Sequence, residues 1–329
     1  MTSQPTSTPL HLSDWHRVDA LTGDASPRRY SRLVRPDGQT AILVEYPPSI
    51  RNQLAGDLEV FSWCRRRGLR VPEILARDLP AGRALLEDLG IDDAEATLER
   101  TPAACRRNLV EEMLRPLEIL AGCGPDELPR WNPPLDRTRL RWELAGFELW
   151  FVRHYRSQAP SPSLARWLDD LAAEIASHPR RVCHRDYHLN NLLIQRDGTV
   201  GIIDIQDILV GPDTYDAVSL VAERAATRLL ATTDRRDILA SWAQRTRAEP
   251  GWPERAAAVR IQRGLKVLGT FARFTLAGRT EYRRWLIDLA GGLVEPLEDR
   301  GADPGTLALV KGVAASGSDA APPPVPGAT

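Results

Sequence analysis

Lysine is nearly absent from this chain: of 43 basic side chains, only Lys266 and Lys311 are lysine, and the net charge of the 329 residues is -1. The arginines are interspersed with Asp and Glu and form no basic stripe, so binding to nucleic acid or to a membrane surface is disfavoured. Cysteine is equally sparse. Cys64, Cys105, Cys123 and Cys183 lie far apart, without a CxxC pair or zinc-ligand spacing. Free thiols are expected, not disulfides or metal ligands, which suits the cytoplasm. No run of 18 apolar residues occurs, and the N-terminus is polar where a signal peptide needs an apolar stretch. With 43% hydrophobic residues the chain can bury a real core, as one large domain or as two lobes. A soluble protein acting on a small molecule is the expectation.

Residues 30–46 read as two strands around the turn Pro36-Asp37-Gly38, a β-hairpin. Leu54, Leu58, Phe61 and Cys64 then recur at helical spacing, and Gly68 supplies a stop. Two short apolar runs, 73–76 and 84–87, flank Pro80-Ala81-Gly82, so the first 90 residues hold a small antiparallel sheet and one helix after a loose start. From Thr101, a good N-cap followed by Pro102, the chain reads as mainly helical. Leu164, Leu168, Leu171 and Ile175 mark one later helix and residues 253–277 another. The tail 314–329, rich in Ala, Pro, Gly and Ser, has the composition of a disordered segment.

The chemistry is concentrated in residues 181–216. His184-Arg185-Asp186 is followed by Asn191 five residues after the aspartate, an apolar strand, the turn Arg196-Asp197-Gly198, another strand, and Asp204. That order matches the H-R-D-x-x-x-x-N catalytic loop and the metal-binding aspartate of kinase-like enzymes. Phosphoryl transfer needs little covalent help, but the acceptor hydroxyl must be aligned and the charge on the moving group neutralised. Asp186 is the candidate for the first task. Asn191 and Asp204 are candidates for holding Mg²⁺, a hard cation that takes a few protein oxygens beside those of ATP and water. HRD alone is a weak signal in an Arg/Asp-rich chain, but five features in order make chance a poor explanation.

These residues resemble a known family. The motifs HRDYHLNNLL, IIDIQD and GPDTYD look like those of the aminoglycoside phosphotransferase and choline kinase superfamily. GDASPRRY at 23–30, Glu45-Tyr46-Pro47-Pro48, Val71-Pro72-Glu73-Ile74 and Leu86-Glu87-Asp88-Leu89-Gly90 resemble, in order, the bacterial N-acetylmuramate/N-acetylglucosamine anomeric kinases of cell-wall recycling. The resemblance covers roughly residues 15–290. It implies an α+β, protein-kinase-like bilobal fold. Residues 1–90 are then an ATP-covering N-lobe of antiparallel sheet plus one helix, ending in a hinge, and residues 91–313 are a helical C-lobe. It also implies ATP as co-substrate, and backbone groups at Asp88 and Leu89, after Glu87, that meet the adenine edge. As an alternative, Glu87 and Asp88 are a strand exit with solvated carboxylates.

One departure stands out. The first 90 residues contain no lysine to pair with the ATP phosphates. Either an arginine, Arg28, Arg29 or Arg32, supplies the charge, or backbone N–H groups around residues 23–26 and the metal do so. Asp216 is expected to serve the scaffold at a helix N-terminus, and Asp207 either to pair with Arg185 or to touch substrate. Arg185, Asp207, Glu143 and Trp150 are the candidates for the acceptor. Phe147 and Phe151 read as core at helical spacing. Other acceptors, an aminoglycoside or a choline-like alcohol, and a nucleotide-binding pseudokinase are the alternatives. Oligomeric state is not legible.

Overall fold

The computed structural model describes residues 10–21, 27–128 and 132–316. The loose start contains a strand that the sequence does not announce, β1 (His16–Leu21), because its residues are almost all exposed and carry no apolar alternation. It pairs antiparallel with β2 (Arg29–Val34), with an irregularity between Arg17 and Asp19. The expected hairpin follows as β2 and β3 (Thr40–Glu45), with Gly38 at a φ of +86° in its turn. Helix α1 (Leu54–Arg66) comes next, then β4 (Ile74–Asp78) and β5 (Arg83–Glu87) on either side of Pro80-Ala81-Gly82. The five strands lie in the order β1-β2-β3-β5-β4. Alternation along them separates two faces. Leu33, Ala41, Leu43, Ala76 and Leu85 pack with Trp15, whereas Val44, Ala84 and Leu86 join Leu54, Leu58, Phe61 and Cys64 of α1 in the main core.

Helices dominate the rest. They are α2 (Ala94–Arg100), α3 (Ala103–Met113), α4 (Arg115–Ala121), α5 (Arg137–Gly146), a π-helical segment Phe147–Tyr155, and α6 (Pro162–Ala176). Four short strands, β6 (Arg180–Cys183), β7 (Leu192–Ile194), β8 (Val200–Ile202) and β9 (Leu209–Pro212), carry the catalytic segment. Then come α7 (Tyr215–Ala222), α8 (Arg224–Leu229), α9 (Thr232–Arg245), α10 (Trp252–Leu276), α11 (Glu281–Asp299) and α12 (Pro304–Ala314). The architecture is α+β and kinase-like. No helix of the described residues is long and apolar enough to cross a membrane.

Thr101 is not the N-cap expected of it. Helix formation has already begun at α2, capped by Asp93, whose side chain accepts from the Ala96 amide, and Thr101 Oγ1 donates back to the Thr97 carbonyl. Pro102 occupies the cap position of α3 instead. At the other end α12 runs through Ala314, so the tail begins later than composition suggests, and residues 317–329 lie outside the described residues.

Two helices cross unusually closely. A Cβ on Gly269 of α10 would stand 2.7 Å from the Gly146 carbonyl oxygen and 2.8 Å from the Phe147 nitrogen. The crossing needs glycine because both contacts are to backbone, which cannot move aside as a side chain can. Lys266 and Glu143 lie three residues before these two glycines, and the close approach brings them together. Gly269→Ala is expected to cost about 3 kcal/mol by overpacking, read as a lower urea midpoint with an unchanged slope.

Candidate active site

The catalytic segment is fixed from below. Asp216, in the first turn of α7, accepts from the backbone amides of His184 (2.6 Å) and Arg185 (2.9 Å). His184 Nε2 lies 3.0 Å from the Ile203 carbonyl, and the Arg263 guanidinium donates to the Arg185 carbonyl at 3.3 Å. These bonds hold Arg185 at a φ of 78°, left-handed backbone that a side chain adopts only when its surroundings impose it. Asp216 thus has the expected scaffold role, with the loop amides as its partners. Burial pushes its carboxyl up, against His184 and those two amides.

The β7–β8 hairpin then places the other two candidates. Leu192 pairs with Ile202, and the Ile203 amide donates to the Asn191 carbonyl at 3.0 Å, so Asp204 emerges beside Asn191. Asn191 spends its amide nitrogen inward, on the Asp186 carbonyl at 2.9 Å and His188 Nε2 at 3.2 Å. Its Oδ1 therefore turns away from both. Asp204 also sits left-handed, at a φ of 59°, and its Oδ1 accepts from the Gln206 side chain. Among the described residues no three His, Cys, Asp or Glu side chains converge as a metal cage. One carboxylate and one amide oxygen fit a hard cation that completes its shell with phosphate oxygens and water.

Asp186 is largely enclosed. Burial alone would raise its carboxyl, yet Lys266, Arg185, Arg263 and His184 together hold it below the usual carboxylate range, which favours the ionised form. Behind it lies Glu143 of α5, whose side chain is 1% exposed. Its Oε1 meets Lys266 Nζ at 2.9 Å and Arg185 Nη2 at 3.6 Å, and its Oε2 accepts from Gln262 at 3.0 Å. The structure thus joins Arg185 to Glu143, and the sequence alternative of an Arg185–Asp207 pair does not form. Trp150 is half-buried against His154, with ring centroids 5.3 Å apart. Phe147 and Phe151 are fully buried core residues.

On the sheet side, Arg28 lies just before β2 and pairs with Asp57 of α1 at 2.9 Å, the two side chains being 10% and 9% exposed. Tyr46 donates to the same carboxylate oxygen at 2.6 Å, and the Arg28 guanidinium stands 5.1 Å from the Tyr46 ring centre. Helix α1 also contacts the Ile205–Asp207 turn, and Asp207 lies within electrostatic reach of Arg28. A cation paired to the first helix is the arrangement kinases build with lysine and glutamate. Strand alternation sends Arg29 to the opposite face, exposed, so it is not brought to this site. Arg32 is occupied by Asp88, at 2.7 and 3.1 Å. Residues 23–26 lie outside the described residues.

The strand-exit carboxylates are tied to arginines, Asp88 at 5% exposure and Glu87 at 30%. Glu87 takes both Nη atoms of Arg70, at 2.7 and 2.6 Å, and the Glu73 amide, while Asp88 also accepts from the Gly90 amide. The Leu89 carbonyl is engaged by the Gln195 side chain at 2.6 Å.

The chain matches the phosphotransferase enzyme family over residues 17–258. It is 31% identical over 264 residues to the N-acetylmuramate/N-acetylglucosamine kinase of Pseudomonas aeruginosa, covering 77% of this chain and 75% of that one. It is 29% identical over 276 residues to the kinase of that name from Neisseria meningitidis, covering 79% of each. Its fold is similar to that of the choline kinase of Streptococcus pneumoniae, with a TM-score of 0.56 at 13% identity over 93% of this chain and 95% of that one. A type VIII aminoglycoside-3'-phosphotransferase gives 0.54 at 16% identity, over 76% and 93%. With the ordered catalytic loop, the hairpin that follows it and the matched fold all in agreement, the chain belongs to the phosphotransferase enzyme family.

Proposed function

We propose that this phosphotransferase moves the γ-phosphoryl of ATP to the anomeric hydroxyl of an N-acetylated amino sugar, N-acetylmuramate or N-acetylglucosamine, to give the sugar 1-phosphate in cell-wall recycling. The observation that supports the chemistry is that the β7–β8 hairpin pairs Asn191 with Ile203, next to Asp204, while the Asn191 side chain bonds the Asp186 backbone. The sugar is carried by the relatives, which cover three quarters of the chain.

In this reading Asp186 accepts the acceptor's proton and orients its oxygen for in-line attack. Asn191 Oδ1 and Asp204 would hold Mg²⁺, which supplies charge neutralisation at the phosphates. Arg28, kept in place by Asp57 and Tyr46, meets the phosphate oxygens from the sheet side and takes the part of the missing lysine. Backbone groups at Asp88 and Leu89 meet the adenine edge, with the side chains of Glu87 and Asp88 fixing their path. Residues 1–90 act as the N-lobe, ending in the hinge, and residues 91–313 as the C-lobe.

Arg28→Met is expected to raise KM for ATP about 10–100-fold, the loss of one charge-assisted bond, with KM for the sugar little changed in steady-state assays. Equal KM values for ATP would remove Arg28 from the phosphate site. A cationic acceptor is disfavoured because the buried Glu143 has both its oxygens already taken by internal donors. ADP release assayed against both amino sugars, kanamycin and choline tests the acceptor class. ATP binding with turnover of none of them would favour a pseudokinase.

A further inference from the structure

The α10 face beside Asp186 carries polar groups that the transfer chemistry does not use. Lys266 is one of two lysines in the chain, sits in α10, and is 25% exposed above a Glu143 that is 1% exposed. Glu143 occupies one of its three N–H donors. Around it, the Tyr215 hydroxyl, Gln262 Oε1 and Arg185 Nε are buried without a hydrogen-bond partner among the described residues. Tyr215 itself is fully buried. Buried polar atoms of this kind are normally satisfied, so unmet hydrogen-bonding capacity is concentrated beside the two N–H donors that Lys266 has left. Lys266 interacts electrostatically with Tyr215, Glu143 and Asp186, and Glu143 in turn reaches Arg185, the neighbour of Asp186.

We infer that Lys266 determines acceptor specificity: its ammonium donates to an oxygen of the acceptor next to the hydroxyl being phosphorylated. It admits neutral or anionic, oxygen-rich acceptors and repels cationic ones. This rests on the sugar-kinase reading above. An amino sugar offers two sources for that oxygen, a ring substituent shared by both sugars or the carboxylate that muramate adds.

The test is steady-state kinetics of Lys266→Met, Lys266→Arg and the double variant Lys266→Met/Glu143→Gln, each checked for folding by thermal melting. The double variant is included because removing Lys266 alone strands a buried carboxylate. The expected result is a rise of at least about tenfold in acceptor KM for Lys266→Met and for the double variant, with KM for ATP within about twofold and partial recovery in Lys266→Arg. A larger rise for N-acetylmuramate assigns the contact to its carboxylate, and equal rises assign it to a shared oxygen. Unchanged acceptor KM in the double variant overturns the inference, as does a fall in kcat alone, which would move Lys266 to the phosphoryl group. If the wild type turns over neither sugar, the sugar reading fails separately. Lys266 is then judged by the same KM criterion on whichever alcohol the panel identifies, and a preferred cationic acceptor overturns its role.

Discussion

Asp186→Asn is expected to lower kcat by about 10²–10⁴-fold, the usual contribution of a positioned proton acceptor, with KM for ATP changed little and the protein still folded. The ionised carboxylate is favoured by Lys266, Arg185, Arg263 and His184 against the effect of burial. The amide is nearly isosteric, and the hydrogen bond from Asn191 goes to the Asp186 backbone carbonyl, which the substitution leaves in place. Geometry therefore survives while basicity is lost. Steady-state kinetics with a parallel melting curve make the check. Turnover near the wild-type value would take the catalytic role away from Asp186.

Asp204→Ala is expected to be at least as damaging, about 10³-fold or more, since a metal-ligand carboxylate stabilises the developing charge by several kcal/mol. The backbone complicates this variant. At a φ of 59°, alanine carries a left-handed penalty of roughly 1–2 kcal/mol that aspartate and asparagine bear more easily. Asp204→Asn is the needed companion: it keeps the backbone preference and weakens only the ligand. Both variants should lose activity, and added Mg²⁺ should recover part of it in Asp204→Asn. A normal Mg²⁺ dependence in both would remove Asp204 from the metal site.

The parts of the fold that were legible in the sequence are those set by local chemistry. The Pro36-Asp37-Gly38 turn, the spacing of Leu54, Leu58, Phe61 and Cys64, and the Arg196-Asp197-Gly198 hairpin each declare themselves within a few residues, and all form as read. Strand β1 did not, because an exposed edge pairs through its backbone and its side chains carry no pattern. The π-helical geometry of Phe147–Tyr155 was equally hidden, and the backbone at its start packs against Gly269, more than a hundred residues away.

The site divides along the same line. Asp186, Asn191 and Asp204 lie within one contiguous motif. Asp57 and Tyr46, which hold Arg28, and Gln262, Arg263 and Lys266, which surround the loop, come from distant elements and belong to no local signature. The scarcity of lysine was the one available signal. It showed that the first 90 residues lack a phosphate-pairing lysine, but gave no role to Lys266. Glu87 and Asp88 lie in a local motif, yet the side-chain partners that hold them, Arg70 and Arg32, are connected to them by no spacing rule.

The most direct test of the account is ³¹P NMR of the product formed when the purified protein is incubated with Mg-ATP and N-acetylmuramate or N-acetylglucosamine. The account predicts a sugar 1-phosphate, seen as a phosphorus resonance coupled to the anomeric proton, which disappears with Asp186→Asn. A phosphate on another hydroxyl, or ATP bound and no sugar phosphate formed, would contradict it.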